Sequence, residues 1–349
     1  MRLAYIVKLA VISTAILVVG CLSGEEGSTA TEDSGNELTV LATTPMLGEF
    51  VKQVAGENVQ VEVLIPHAAD PHHFEPSPQD VKKINEADLV FYVGLKYETS
   101  ALSKLIQNSV ESGQVLVEIG PKIDPIEFRI DEHDEHDEHD EHDEHDGEGE
   151  KDEHDEHDGE GDDNSNGEIA KHHDHGIWDP HFWFDPNRVA LAITEIEHSL
   201  KKLDPEHADK YQSSANKYLE TLEALDHEIE TLVQAIPRDN RHIVTTHESL
   251  GYLQDRYGLE VLVTIIPNIT TEDGLTPKQL VHVIEEINEH GVKSIFIESE
   301  TPTQAAEIIA QESGASLVPG LWVETLQVNQ SYVEFLKTNI NLIVVNLKK

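Results

Sequence analysis

From Leu38 onward, short runs of consecutive apolar residues alternate with amphipathic stretches. Leu38–Thr43, Val59–Ile65, Leu89–Val93 and Val115–Ile119 are each bounded by polar or turn residues, the pattern of strands buried on both faces. Met46–Ala55 reads as a helix between the first two. Ser77-Pro78 followed by Asp80 starts another, with proline at the first helical position. The alternation predicts a doubly wound α/β lobe over residues 38–130.

The pattern then breaks. Residues 131–175 hold an Asp-Glu-His repeat whose period of three matches neither helix nor strand burial. Almost nothing in this segment is apolar, so burial cannot offset its ordering entropy and we expect it to be disordered when metal-free. Residues 176–203 return to the first lobe, with Pro186–Leu203 helical. Asp204-Pro205 opens a longer helix within 204–237, along which Ala208, Tyr211, Ala215, Tyr218, Leu222, Leu225, Ile229, Leu232 and Ile236 step by three and four. Such a seam fits either a dimerising coiled coil or one helix packed along two lobes. Two tyrosines and two alanines make it uneven, which favours intramolecular packing and a monomer. Strand-like runs resume at His242–Thr245, Leu259–Ile265, Lys293–Ile297 and Ser316–Val318. Helices are signalled at Thr276-Pro277, at Thr301-Pro302 and over Gln330–Leu347, giving a second lobe over 238–349. The expected fold class is therefore α/β: two doubly wound lobes joined by one long helix. A cleft between them would receive the carboxyl ends of the strands, where open sheets of this kind bind ligands.

Charge removes one functional class. The formal net charge is −44, and the insert supplies −21 of it through 23 acidic residues and two lysines. The remaining −23 still repels nucleic acid and anionic headgroups, so nucleic-acid binding is excluded. At the N-terminus Arg2 and Lys8 accompany the apolar Leu9–Gly20, and Val18-Val19-Gly20 precedes Cys21, the only cysteine. Residues 1–21 read as an export signal with a lipobox and Cys21 as the acylated residue. An ordinary signal in which the cysteine is incidental is the alternative. The Gly/Ser/Thr/Glu-rich stretch 22–37 has the composition of a flexible tether. The mature protein is thus expected outside the cytoplasm, in a periplasm or on the outer face of the plasma membrane, held by lipid.

Candidate chemistry lies in three distant histidines. His72 and His181 occupy near-identical frames, Asp70-Pro71-His72-His73-Phe74-Glu75-Pro76 and Asp179-Pro180-His181-Phe182-Trp183-Phe184-Asp185-Pro186. His247 follows the strand ending near Thr245, the matching place in the other lobe. A stiff Asp-Pro turn presets an imidazole's orientation, which a metal ligand needs, and three converging imidazoles form a zinc site. Asp70, Glu75, Asp179 and Asp185 are placed either to accept the second imidazole N–H or to serve as caps and turn residues.

With these frames the chain resembles the substrate-binding proteins of zinc and manganese ABC importers, the group with a rigid inter-lobe helix. The resemblance runs from about Leu38 to the end, interrupted by the insert. It implies His72, His181 and His247 as metal ligands, the last in His247-Glu248-Ser249-Leu250-Gly251-Tyr252-Leu253. The family often carries an aspartate as fourth ligand. Glu324 stands at that place in Glu324-Thr325-Leu326, so either Glu324 or water completes the shell. Glu298 also resembles a family acidic residue near the site and is not counted among the expected ligands. The resemblance also implies partners: a membrane ABC permease coupled to a cytoplasmic ATPase.

Three imidazoles and at most one carboxylate suit Zn²⁺ as the transported substrate; manganese favours more oxygen donors. A manganese or iron receptor of the same family is the alternative. The histidine-rich insert would then be a weak multi-site zinc collector, buffer or sensor, or else a solvated acidic linker. A zinc-dependent hydrolase would also use three histidines with an open position, taking Glu324 or Glu298 as base. The chain has no His-Glu-x-x-His pair, no Gly-x-Ser-x-Gly elbow and no phosphate loop, and an enzyme is not expected. An adhesive role would survive loss of all three histidines.

Overall fold

The computed structural model describes residues 38–109, 114–128, 178–266, 276–299 and 304–348. The export signal, the tether, the Asp-Glu-His insert and the Thr301-Pro302 helix start lie outside these residues. The first sheet contains β1 (Thr39–Ala42), β2 (Gln60–Val63), β3 (Leu89–Tyr92) and β4 (Val115–Glu118), parallel and in the order β2-β1-β3-β4. Each strand is shorter than its apolar run. The hydrogen-bond ladder ends, but Ile65, Val93 and Ile119 stay buried in the turns that follow.

Helices α1 (Pro45–Ala55), α2 (Pro78–Glu86) and α3 (Ser100–Asn108) flank this sheet, and their starts are chemically explicit. The Thr44 hydroxyl accepts from the Leu47 N–H ahead of α1, while Ser77 and Asp80 form a reciprocal capping box on α2. The second sheet repeats the first in order and sense. Its strands β5 (His242–Thr245), β6 (Glu260–Thr264), β7 (Ser294–Glu298) and β8 (Ser316–Leu321) run parallel as β6-β5-β7-β8.

Between the sheets in sequence come α4 (Pro186–Leu203) and α5 (Ala208–Gln234), the latter preceded by a 3-10 turn at Pro205–His207. With 27 residues α5 is about 40 Å long. Tyr211, Ala215, Tyr218, Leu222, Leu225 and Ile229 are buried along it as the spacing predicts. Two positions depart from expectation: Ala208 and Leu232 are only half-buried, and Val233 takes the place expected for Leu232. A straight helix turns every 3.6 residues and drifts off a strict 3.5-residue repeat, so the buried stripe moves by one position near its end.

That stripe packs on α1 and α4 from the first lobe and on α9 (Tyr332–Leu347) from the second. It is therefore used up inside the chain. The remaining helices α6 (Gly251–Tyr257), α7 (Pro277–Glu289) and α8 (Gln304–Ser313) belong to the second lobe. One hydrophobic cluster runs from Val40 and Phe50 through Phe182, Trp183 and α5 to Phe335 and Leu347, so the lobes share a core. Two smaller clusters fill the outer face of each sheet.

Candidate metal centre

Both sheets reverse their winding between the first and third strands of the lobe, and ligands of such sheets sit outside the carboxyl ends at that point. Each lobe fills the crevice with a threonine–glutamate pair. Glu98 accepts from Thr43 Oγ1 at 2.7 Å and from the N–H groups of Val93 and Gly94 at 2.7 and 2.9 Å. In the second lobe Glu298 accepts from Thr245 Oγ1 at 2.8 Å and from the His247 N–H at 3.2 Å.

The two Asp-Pro-His frames fold alike. Asp70 Oδ1 accepts from the His72 N–H at 2.9 Å, and Asp179 Oδ1 from the His181 N–H at 2.8 Å. Each aspartate closes a turn on its own backbone two residues on, a habit of this residue type. A 3-10 turn follows in each case, Pro71–His73 and Phe182–Phe184. Trp183 then anchors the second frame across the cleft, donating Nε1–H to the Val323 carbonyl at 2.9 Å.

These turns, with the loops after β5 and β8, bring His72, His181, His247 and Glu324 together, one ligand atom of each lying within 4.8 Å of the others. Every imidazole has its Nδ1 occupied. His72 Nδ1 meets the Tyr97 carbonyl at 3.1 Å, His181 Nδ1 meets Asp179 Oδ1 at 2.8 Å, and His247 Nδ1 makes a short contact with Glu298 Oε2. With the proton on Nδ1, each Nε2 lone pair faces inward. The Nε2 atoms lie 3.6, 3.3 and 2.9 Å from the nearer Glu324 oxygen for His72, His181 and His247. A tetrahedron with arms of about 2.0 Å has edges of about 3.3 Å, so the spacing suits a small divalent ion.

Satisfaction of polar groups points the same way. His72 Nε2, His181 Nε2, His247 Nε2 and Glu324 Oε1 are buried and make no hydrogen bond. Their polarity is met only within the cluster, where the four atoms face one another. The other Glu324 oxygen is held, since the Tyr97 hydroxyl donates to Oε2 at 2.9 Å and to the Glu324 carbonyl at 3.1 Å. The metal-free charges are strongly coupled. Burial opposes protonation of His181, but Glu324 and Asp179 outweigh it and hold the imidazole up at about 9. Burial likewise opposes charge on His247, and Glu298 and Glu324 push it well up. Burial works against the Glu324 carboxylate too, yet His181 and His72 pull it well down.

All four expected site residues therefore meet. His73, which the frame sets aside, is exposed and lies 3.6 Å from Asp70. Of the four acidic neighbours, Asp179 orients an imidazole, Asp70 shapes the turn, and Asp185 caps α4 through the Asn187 N–H at 2.8 Å. Glu75 is exposed. Sequence reading missed Tyr97 and Glu98. Their one legible signal is position, just beyond the strand that becomes β3, whose carboxyl end borders the crevice.

The lobes touch closely at the centre. A Cβ on Gly251 would lie 2.5 Å from Asp179 Oδ2, so α6 begins with a residue that lets the second lobe press on the partner of His181. The Tyr252 hydroxyl donates to the Asp179 carbonyl at 2.9 Å.

Comparison with known proteins adds a lineage. A family model described as the periplasmic zinc-uptake complex component A, ZnuA, matches residues 40–345. The manganese ABC transporter substrate-binding lipoprotein PsaA of Streptococcus mitis is 26% identical over 344 residues, 96% of each chain. The metal ABC transporter substrate-binding lipoprotein ScbA of Streptococcus cristatus is 24% identical, covering 95% of this chain and 96% of its own. Among solved structures, the periplasmic zinc-binding protein TroA from Treponema pallidum superimposes with a TM-score of 0.70 at 21% identity, covering 90% of this chain and all of its own. The Mn-bound periplasmic metal-binding protein from Candidatus Liberibacter asiaticus gives 0.69 at 24% identity, covering 89% and 99%.

Proposed function

The chain belongs to the ZnuA family of metal ABC transporter substrate-binding proteins, and from that premise we propose that its transported ion is Zn²⁺, held by His72, His181, His247 and Glu324. A protein of this kind works outside the cytoplasm beside a membrane permease and its ATPase. It is a transport receptor, not an enzyme. One observation supports the zinc reading above others. Three inward Nε2 atoms and one carboxylate oxygen are buried, close to one another and without a hydrogen bond to the rest of the protein, while the second nitrogen of every imidazole is already engaged. That is a nitrogen-rich, four-donor set of the borderline kind zinc prefers; manganese would be better served by more carboxylates.

Capture then draws the lobes together, because His72 and His181 come from the first and His247 and Glu324 from the second. Release at the permease needs these donors separated. The shared core and the α5 spine resist a wide hinge, so loop rearrangement around the cleft is the motion that fits. A hydrolytic reading finds less support. Glu298 is already engaged by Thr245 and His247, and Glu324 turns its Oε1 into the donor cluster as a fourth ligand, so neither carboxylate stands beside the ion as a separate base.

Calorimetric titration of residues 22–349 with zinc, with and without manganese as competitor and with residues 131–175 deleted in parallel, tests the proposal. We expect one tight zinc site that survives the deletion and resists manganese. Displacement by manganese at comparable concentration would make this a manganese receptor. Loss of tight binding with the insert would move the receptor site out of the cleft.

A further inference from the structure

The opposite end of the second sheet carries two more histidines, contributed by different elements. His242 opens β5, and His290 caps the C-terminus of α7. Their rings lie edge to face with centroids 5.5 Å apart, the separation also found between His181 and His247 in the cleft. His242 Nε2 lies 3.3 Å from Glu260 Oε2, and His290 Nε2 lies 3.5 Å from Glu286 Oε2. The cleft uses the same device on two of its imidazoles, a carboxylate on one nitrogen with the other left for the ion. Here Nδ1 is the nitrogen left over on each ring. Both histidines line a cavity of ≈ 30 Å³ bounded also by Asp239, Asn240 and Lys293, large enough for an ion and a water.

We propose that His242 and His290 form a second binding site for a borderline divalent ion such as Zn²⁺, with water completing the shell and Glu260 and Glu286 orienting the rings. Two protein donors instead of four make it weaker than the cleft. It fills only after the cleft does, when external zinc is high. Because His247 lies beyond the carboxyl end of β5 and His242 at its amino end, the two sites do not share a donor. The alternative is that the four side chains are only surface ion pairs at a helix C-terminus.

Total stoichiometry cannot separate the pair from the insert's histidines, so the test must resolve residues. The mature full-length protein is modified with diethyl pyrocarbonate, and peptide mass spectrometry gives the rate at each histidine as Zn²⁺ rises past saturation of the cleft. We expect His242 and His290 to become protected together, at one zinc concentration. In His242→Asn the protection of His290 should vanish, and in His290→Gln that of His242, while zinc still protects His247 as proof of a folded cleft. Unchanged rates at both rings up to millimolar zinc would overturn the site. So would protection of one ring that persists after loss of the other, since that needs only local burial.

Discussion

His181 illustrates how much chemistry one side chain carries here. Metal-free, its imidazole is held up at about 9, so at pH 7 it bears a proton that zinc must displace. Zinc binding should therefore release protons, seen as a calorimetric enthalpy that changes with the ionisation enthalpy of the buffer. Affinity should rise with pH toward about 9 and fall as the solution is acidified. Stability of the metal-free fold should move the other way. A pKa raised above the ordinary 6.5 contributes stability that is complete below that value and is lost as pH climbs to about 9. Thermal melts of stripped protein between these limits would show a falling midpoint; a rising one would contradict the assignment. The neighbours matter nearly as much. Asp179→Asn should weaken zinc binding about 10–100-fold by loosening His181, and Tyr97→Phe by a similar factor through Glu324. Competition with a chromogenic chelator measures both. Asp179 was legible in its Asp-Pro-His frame, but Tyr97 was not, because its hydroxyl meets a glutamate 227 positions away.

At the level of elements, the apolar runs located all eight strands among the described residues, and the capping signals at Ser77 and Thr276 marked the starts of α2 and α7. Local chemistry sufficed because buried parallel strands must be apolar throughout and helix N-termini need acceptors for their free N–H groups. The α5 seam was legible as a stripe, though its partner was not, since spacing alone serves a second chain as well as a second helix. Tertiary packing supplies α1, α4 and α9 as partners. Leu222→Ala, at the middle of this stripe, should therefore cost about 2–5 kcal/mol in urea unfolding. The chain should sediment as a monomer before and after the change. The Thr43–Glu98 and Thr245–Glu298 pairs show that each lobe solves its crevice in the same way. Only the second lobe turns the glutamate toward a metal-site histidine.

At the scale of the whole molecule, the N-terminal segment and the acidic insert lie outside the described residues. We propose that Cys21 carries the lipid, in keeping with the relatives named lipoproteins. Cys21→Ser should shift the protein from the detergent phase to the aqueous phase in Triton X-114 partitioning, leaving zinc affinity unchanged. Persistence in the detergent phase would instead mean an uncleaved anchor. The sequence by itself determined the fold class, the two lobes and the three candidate histidines, because burial periodicity and turn chemistry are local properties. Tertiary structure alone decided that Glu324 joins the histidines, that Tyr97 ties His72 to Glu324, and that His242 lies against His290. Those pairings depend on which loops the shared core brings face to face, and no spacing along the chain encodes a contact between residues that meet only after both lobes have folded.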